Sequence, residues 1–170
     1  MSDTDLISAD EKIPSSTQPL DQTLVLEWMG RFFAQVDEQL PANIKAGLVK
    51  GCSEAHYRAL NMDDMLRPLK GDLPGFVRFL SETWGWKVAF EEGGQVIRAD
   101  ENKNFCVCPL IQRAVVKPTP TLCSCSEGFT ERMFAYVLER PVSARVVRSV
   151  LRGDPSCVYQ VFIAEAPSHY

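Results

Sequence analysis

At Gly85 the spacing of the apolar residues changes, and that change sets the fold class. Before it they recur at helical spacing. Leu20, Leu24, Val25, Trp28, Met29, Phe32, Phe33, Val36 and Leu40 form one stripe, with Asp21, Glu27, Arg31 and Asp37 between them and Pro41 as the stop. A second stripe, Ile44, Leu48, Val49, Cys52, Ala55, His56 and Ala59, predicts a helix over Pro41–Leu60. A turn at Asp63-Asp64 follows. Asp72 then caps a third helix carrying Leu73, Phe76, Val77, Leu80 and Trp84.

After Gly85 the period is two. Trp86–Phe90 alternates, Glu92-Gly93-Gly94 turns the chain, and Gln95–Ala99 returns beside it. Asp100–Asn104 reads as a second turn and Phe105–Leu110 as a third strand. Lys117–Thr121 reads as a stiff linker, Gly128–Leu138 as an amphipathic helix stopped before Pro141, and Val142–Val150 and Cys157–Ala164 as two strands around Arg152-Gly153-Asp154-Pro155. Helices first, then a meander, a helix and a hairpin, predict an α+β domain with a mainly antiparallel sheet. Residues 1–19 are rich in Ser, Thr, Asp and Pro and read as a disordered or loosely docked tail, with one domain over residues 20–166.

Composition narrows the function classes. With 45% hydrophobic and 24% charged residues the chain is globular, and 170 residues suit a single core. A net charge of −4 argues against a general nucleic-acid binder. No apolar run approaches the roughly 18 residues of a membrane span, and the N-terminus lacks the features of an export signal. The expectation is a cytoplasmic protein without nucleic-acid or membrane partners, with a homodimer seam as one use of the first helix.

Six cysteines are the main chemical signal. Cytosolic thiols stay reduced, so a disulfide scaffold is not expected. Cys106 and Cys108 would share one face of a strand ending at Pro109, and Cys123 and Cys125 enter a helix whose first amides favour thiolate. Four thiolates from a strand end and a helix start are a candidate zinc site, with an iron–sulfur cluster as the weaker reading. The plainer reading makes several of them small buried hydrophobes, Cys157 above all. Cys52 and His56, four residues apart, are the candidate nucleophile and base, or a packed pair with no chemistry. His169 lies near the C-terminal end.

The segments Cys106-Val107-Cys108-Pro109-Leu110, Leu122-Cys123-Ser124-Cys125-Ser126-Glu127-Gly128-Phe129 and Arg152-Gly153-Asp154-Pro155-Ser156-Cys157, followed by a closing strand, resemble the 4-vinyl reductase type of small-molecule-binding domain over residues 105–164. The resemblance implies a fold shared with ligand-binding domains of nitric-oxide signalling and Golgi-transport tethering. Zinc-binding members carry a further Glu-x-x-Cys, where this chain has Val146 and Ser149. Cys52-Ser53-Glu54-Ala55-His56 and Cys106–Pro109 also resemble uncharacterised bacterial domains near the thiazoline-carboxylate hydrolase family.

Together these readings predict a sensory or regulatory module that binds a small molecule or a metal, with an apolar pocket between helices and sheet and the cysteines at its rim. The competing reading is a cysteine-dependent hydrolase using Cys52 or a C-x-C thiolate with His56. A structural or interaction protein is the third.

Overall fold

The computed structural model describes residues 21–164. The expected tail and His169 lie outside the described residues. Six helices and four strands carry the fold, with a one-turn helix between the two halves of the sheet. Helix α1 spans Gln22–Gln39, α2 Ala42–Gly51, α3 Ser53–Ala59, α4 Met62–Leu66 and α5 Leu73–Trp84. Strands β1 (Lys87–Glu91) and β2 (Val96–Asp100) form the first hairpin. Then come the short α6 (Pro109–Gln112), the long α7 (Cys123–Leu138), β3 (Val142–Arg148) and β4 (Val158–Ile163). All pairings are antiparallel, in the order β1-β2-β4-β3. The fold is α+β as expected, with helices leading and a hairpin closing the chain.

Local chemistry explains the ends of these elements. Asp21 and Asp72 cap α1 and α5 by accepting from the backbone N–H groups of Thr23 and Gly75, each at 2.9 Å. Gly85 closes α5 at φ +71, a conformation that costs glycine least, and the N–H of Trp86 returns to the Leu80 carbonyl at 3.0 Å. Asn61 takes a left-handed conformation between α3 and α4.

Four expectations are corrected. The helix over Pro41–Leu60 is two helices, because after Gly51 the Cys52 N–H bonds Val49 rather than continuing the ladder. Asp63-Asp64 stands on the first turn of α4. The helix expected from Gly128 begins five residues earlier, at Cys123. Phe105–Leu110 is no strand: Pro109 opens α6, the Gln112 side chain donates to the Cys106 carbonyl at 2.5 Å, and the open edge of β2 is taken by β4. The C-x-C argument from strand alternation falls with it.

The core lies where α3, α4, α5 and α7 cover one face of the sheet. Met62, Leu66, Phe76, Leu80, Met133, Phe134 and Val137 meet Ile97, Ala99, Tyr159 and Val161 there. Burying each such aliphatic or aromatic side chain stabilises the fold by about 1.5–3 kcal/mol. A smaller cluster, Phe33, Val49, Val116 and Leu122, fixes α1 and α2 to the segment before α7. The expected aromatic stripe of α1 is divided: Phe33 is buried, while Trp28 and Phe32 stack on each other with 60% and 47% of their surface exposed.

Helix α7 also closes an edge of the sheet. Glu127 and Glu131, one turn apart, accept the backbone N–H groups of Val146 and Ala144 at 2.8 and 2.7 Å. Two residues of strand and four of helix advance by nearly the same distance, so the carboxylates match donors that an edge strand would leave open.

Candidate functional site

A cavity of about 360 Å³ opens between the helices and the sheet. Its walls come from His56 and Leu60 at the end of α3, Thr83 and Trp84 at the end of α5, Glu101, Lys103, Val107 and Cys108 on the segment after β2, Cys125, Ser126, Phe129 and Thr130 on α7, and Trp86 with Tyr159 from the sheet side. The α7 contributors fall at positions i, i+1, i+4 and i+5, which is one face of a helix. Carbon dominates the lining, a composition typical of small-molecule sites of this size.

Aromatic rings organise one side. Trp84 tilts against Trp86 with centroids 5.8 Å apart, and Trp86 stacks on Tyr159, also at 5.8 Å and with 14° between planes. Across the pocket, His56 lies on Phe129 at 4.7 Å. Burial lowers the His56 pKa, so its imidazole is neutral near pH 7.

Polar groups gather at the other end. The Tyr159 hydroxyl donates to Glu101 Oε1 at 2.7 Å, and both residues are buried. Burial raises the Glu101 pKa, opposed by the Tyr159 hydrogen bond and by Lys103. Burial and the Glu101 charge raise that of Tyr159 well above its ordinary value. The Lys103 ammonium donates to the carbonyls of Trp84 and Glu101 at 2.5 and 3.3 Å.

Under this pocket is a second cavity of about 10 Å³, room for one water. Cys106, Cys108, Cys123 and Cys157 line it, and Cys108 faces both spaces. Cys123 Sγ lies 2.9 Å from Ser149 Oγ.

The structure therefore regroups the expected cysteines. Cys106, Cys108 and Cys123 line the small cavity together with Cys157, while Cys125 faces the larger pocket. Among the described residues no set of three or more His, Cys, Asp or Glu side chains is placed to hold a metal ion. The thiolates that the start of α7 was expected to favour are disfavoured instead. Burial raises Cys106 and Cys123, and pushes Cys125 to about 12 and Cys157 to about 11, because desolvating a thiolate outweighs the helix terminus.

Cys52 and His56 are not joined. Cys52 is exposed at the break between α2 and α3, with its Sγ bonded to the Leu48 carbonyl at 3.5 Å, and His56 turns into the pocket. Among the described residues no hydrogen bond links the two. A neutral imidazole cannot hold a thiolate by charge.

Several pocket residues lay outside the sequence argument. Tyr159 was accessible to it, since Cys157, Tyr159 and Val161 alternate on the closing strand. Glu101 was not, because Asp100-Glu101-Asn102-Lys103 has the composition of a solvated turn. Trp84, carried on the third predicted helix, is a half-buried wall of the pocket.

Three comparisons bear on this geometry. The model of a family of unknown function (DUF6144) matches residues 85–167. No curated protein matches the chain in sequence. The crystal structure of a trafficking protein particle complex subunit 3 from Naegleria fowleri, covalently bound to palmitic acid, superposes with a TM-score of 0.51 at 15% identity, covering 84% of this chain and 94% of that one. At that identity the likeness is one of fold. No helix among the described residues is long and apolar enough to cross a membrane.

Proposed function

We propose that the chain is a binding module for an apolar small molecule, seated in the cavity between α3, α5, α7 and the sheet. The observation that carries this reading is the cavity itself, about 360 Å³ walled by Trp84, Trp86, Phe129 and Tyr159. Apolar space of this size is costly to keep unfilled and favourable to fill. The fold likeness to a subunit that holds palmitic acid supports it. Cys125 stands on the wall of this pocket, its thiol pushed up to about 12 by burial. A regulatory role follows if filling the pocket changes what the outer faces of α1 and α3 present.

The test is titration with an apolar fluorescent dye, 1-anilinonaphthalene-8-sulfonate, followed by mass spectrometry of the organic extract of freshly purified protein. The dye binds the folded protein with saturable stoichiometry near one. Cys125→Trp, which fills the cavity from α7, abolishes binding with the fold intact by circular dichroism. Equal binding by the filled variant overturns the reading.

A further inference from the structure

Helix α1 carries two apolar faces, and the core takes only one of them. Phe33 and Val36 are its buried residues, and Phe33 joins Val49, Val116 and Leu122 in the smaller cluster. Leu24, Trp28 and Phe32, each four residues from the next, form a stripe on another side of the helix, 58%, 60% and 47% exposed. Trp28 and Phe32 stack with 3° between planes and 5.5 Å between centroids, so the stripe is flat and already ordered. The three side chains leave roughly 300 Å² of apolar surface to water. Stacked aromatics at helical spacing are what the buried centre of a protein interface is made of.

The stripe and its flank are arranged for a second copy of the same chain. Leu24 and Phe32 stand one turn to either side of Trp28, so a two-fold axis at Trp28 sets it against the partner's Trp28 and sets Leu24 against the partner's Phe32. The two helices then run antiparallel, which brings the same flank of each together. That flank holds Glu27 and Arg31, both exposed and, among the described residues, in no ion pair. Antiparallel packing places Glu27 opposite the partner's Arg31, twice about the axis. Parallel packing would set both against the uncharged flank at Val25. A lipid surface is a poorer match, because Glu27, Asp37 and Glu38 outnumber Arg31 on this helix and membrane-surface helices rely on basic flanks. Roughly 300 Å² per chain is enough for the apolar core of a standard interface of about 800 Å² per partner, whose remainder is polar rim.

We propose that the protein is a homodimer joined across α1, with the Leu24, Trp28 and Phe32 stripes packed antiparallel about a two-fold axis at Trp28 and ion pairs between Glu27 and Arg31 along the flank. None of these residues lines the pocket, so the dimer is independent of the ligand reading.

Sedimentation velocity and light scattering of the full chain test this at about 100 μM, where a dimer of micromolar Kd is formed. The expected mass is twice the 19.0 kDa of one chain. Trp28→Glu and Phe32→Glu each give a monomer with unchanged circular dichroism and unchanged dye binding in the pocket. Leu26→Glu, at an exposed leucine on the side of α1 away from the stripe, stays dimeric. Glu27→Arg sets two arginines opposite each other and weakens self-association about ten-fold, and adding Arg31→Glu restores it to within about three-fold of wild type. A monomeric wild type at that concentration overturns the proposal, as does a dimer that survives both Trp28→Glu and Phe32→Glu. A double reversal that fails to restore what the single one lost overturns the antiparallel arrangement. Binding of a monomeric wild type to vesicles of phosphatidylcholine and phosphatidylglycerol, lost in Trp28→Glu, gives the stripe to a lipid surface instead. Absence of dye binding in an intact dimer overturns the pocket reading and leaves the dimer standing.

Discussion

Gly128 on α7 lies directly against Ser53 on α3: a methyl group added at Gly128 would stand 2.5 Å from Ser53 Oγ and 2.8 Å from the Lys50 carbonyl. The backbone carbonyl cannot swing aside as a side chain can. Gly128→Ala therefore pushes α2 and α3 off α7, at a cost of about 1–3 kcal/mol. Urea denaturation checks the loss. Because α3 and α7 are two walls of the pocket, the dye titration of this variant reports altered affinity as well.

Thiol labelling separates the cysteines by exposure. Cys52 is exposed and reacts first with 5,5′-dithiobis(2-nitrobenzoate). Cys123 and Cys157 are buried, and Cys125, at about 12, is deprotonated only in strong alkali. At neutral pH Cys52 is the fastest thiol of the folded protein, ahead of the half-buried Cys106 and Cys108; Cys52→Ser removes that phase, and unfolding releases the full six. A fastest phase that is unchanged in Cys52→Ser, or that maps to Cys123 or Cys157, contradicts the burial described here.

Asp37 ties α1 to the segment before α7. Its carboxylate accepts from Thr121 at 2.5 Å and Thr119 at 2.8 Å, and pairs with Lys45 at 3.0 Å. The Thr121 bond, then those of Lys45 and Thr119, hold its pKa at about 2, below the unfolded value of 3.8. A depressed acid contributes stability above its unfolded pKa and loses it as pH falls toward the folded one. Asp37→Asn lowers stability at pH 7 by about 1 kcal/mol, a figure reduced for the partly exposed setting, and the difference from wild type shrinks between pH 4 and pH 2. Thermal melts across that range are the measurement.

His56 gives a test of the same sign at higher pH. Burial lowers its folded pKa below the unfolded 6.5, so acid favours protonation of the unfolded chain. Stability falls as pH is lowered through 6.5 and levels off below the folded pKa. His56→Phe keeps the contact with Phe129 and abolishes this dependence. An unchanged slope in that variant overturns the assignment.

Ser149 is fully buried; its hydroxyl meets Cys123 Sγ and accepts from the Leu151 N–H at 3.1 Å. Removing it leaves that N–H without its cap and the thiol without its partner. Ser149→Ala costs about 1–2 kcal/mol in denaturant melts, with Ser149→Thr closer to wild type than Ser149→Val.

The α+β layout was legible because hydrophobic period is a local property. The switch at Gly85, the Asp72 cap and the turn at Gly93 each act within a few residues, and each stands where the pattern puts it. The third strand failed for a non-local reason. Whether Phe105–Leu110 pairs with β2 depends on whether β4, more than fifty positions away, takes that edge first, and it does. The cysteines failed in a related way. Spacing placed Cys123 and Cys125 at a helix start, where thiolate is favoured, but spacing does not report depth, and depth decided their chemistry. Glu127 and Glu131 have the same character: as sequence they are surface carboxylates, and only the passage of α7 beside β3 turns them into partners of a sheet edge.

The pocket draws on both halves of the chain: His56, Leu60 and Trp84 precede or abut Gly85, and Cys108, Phe129 and Tyr159 follow it. Within the protein these halves touch mainly through side chains, since the strands all belong to the second. A molecule seated between them is then a cross-brace. Its contacts are lost in any partial opening that parts the helices from the sheet, so occupancy suppresses subglobal fluctuations by mass action. Amide exchange in α3 and α5, slowed by ligand down to the rate of the sheet, is how that bracing would show itself.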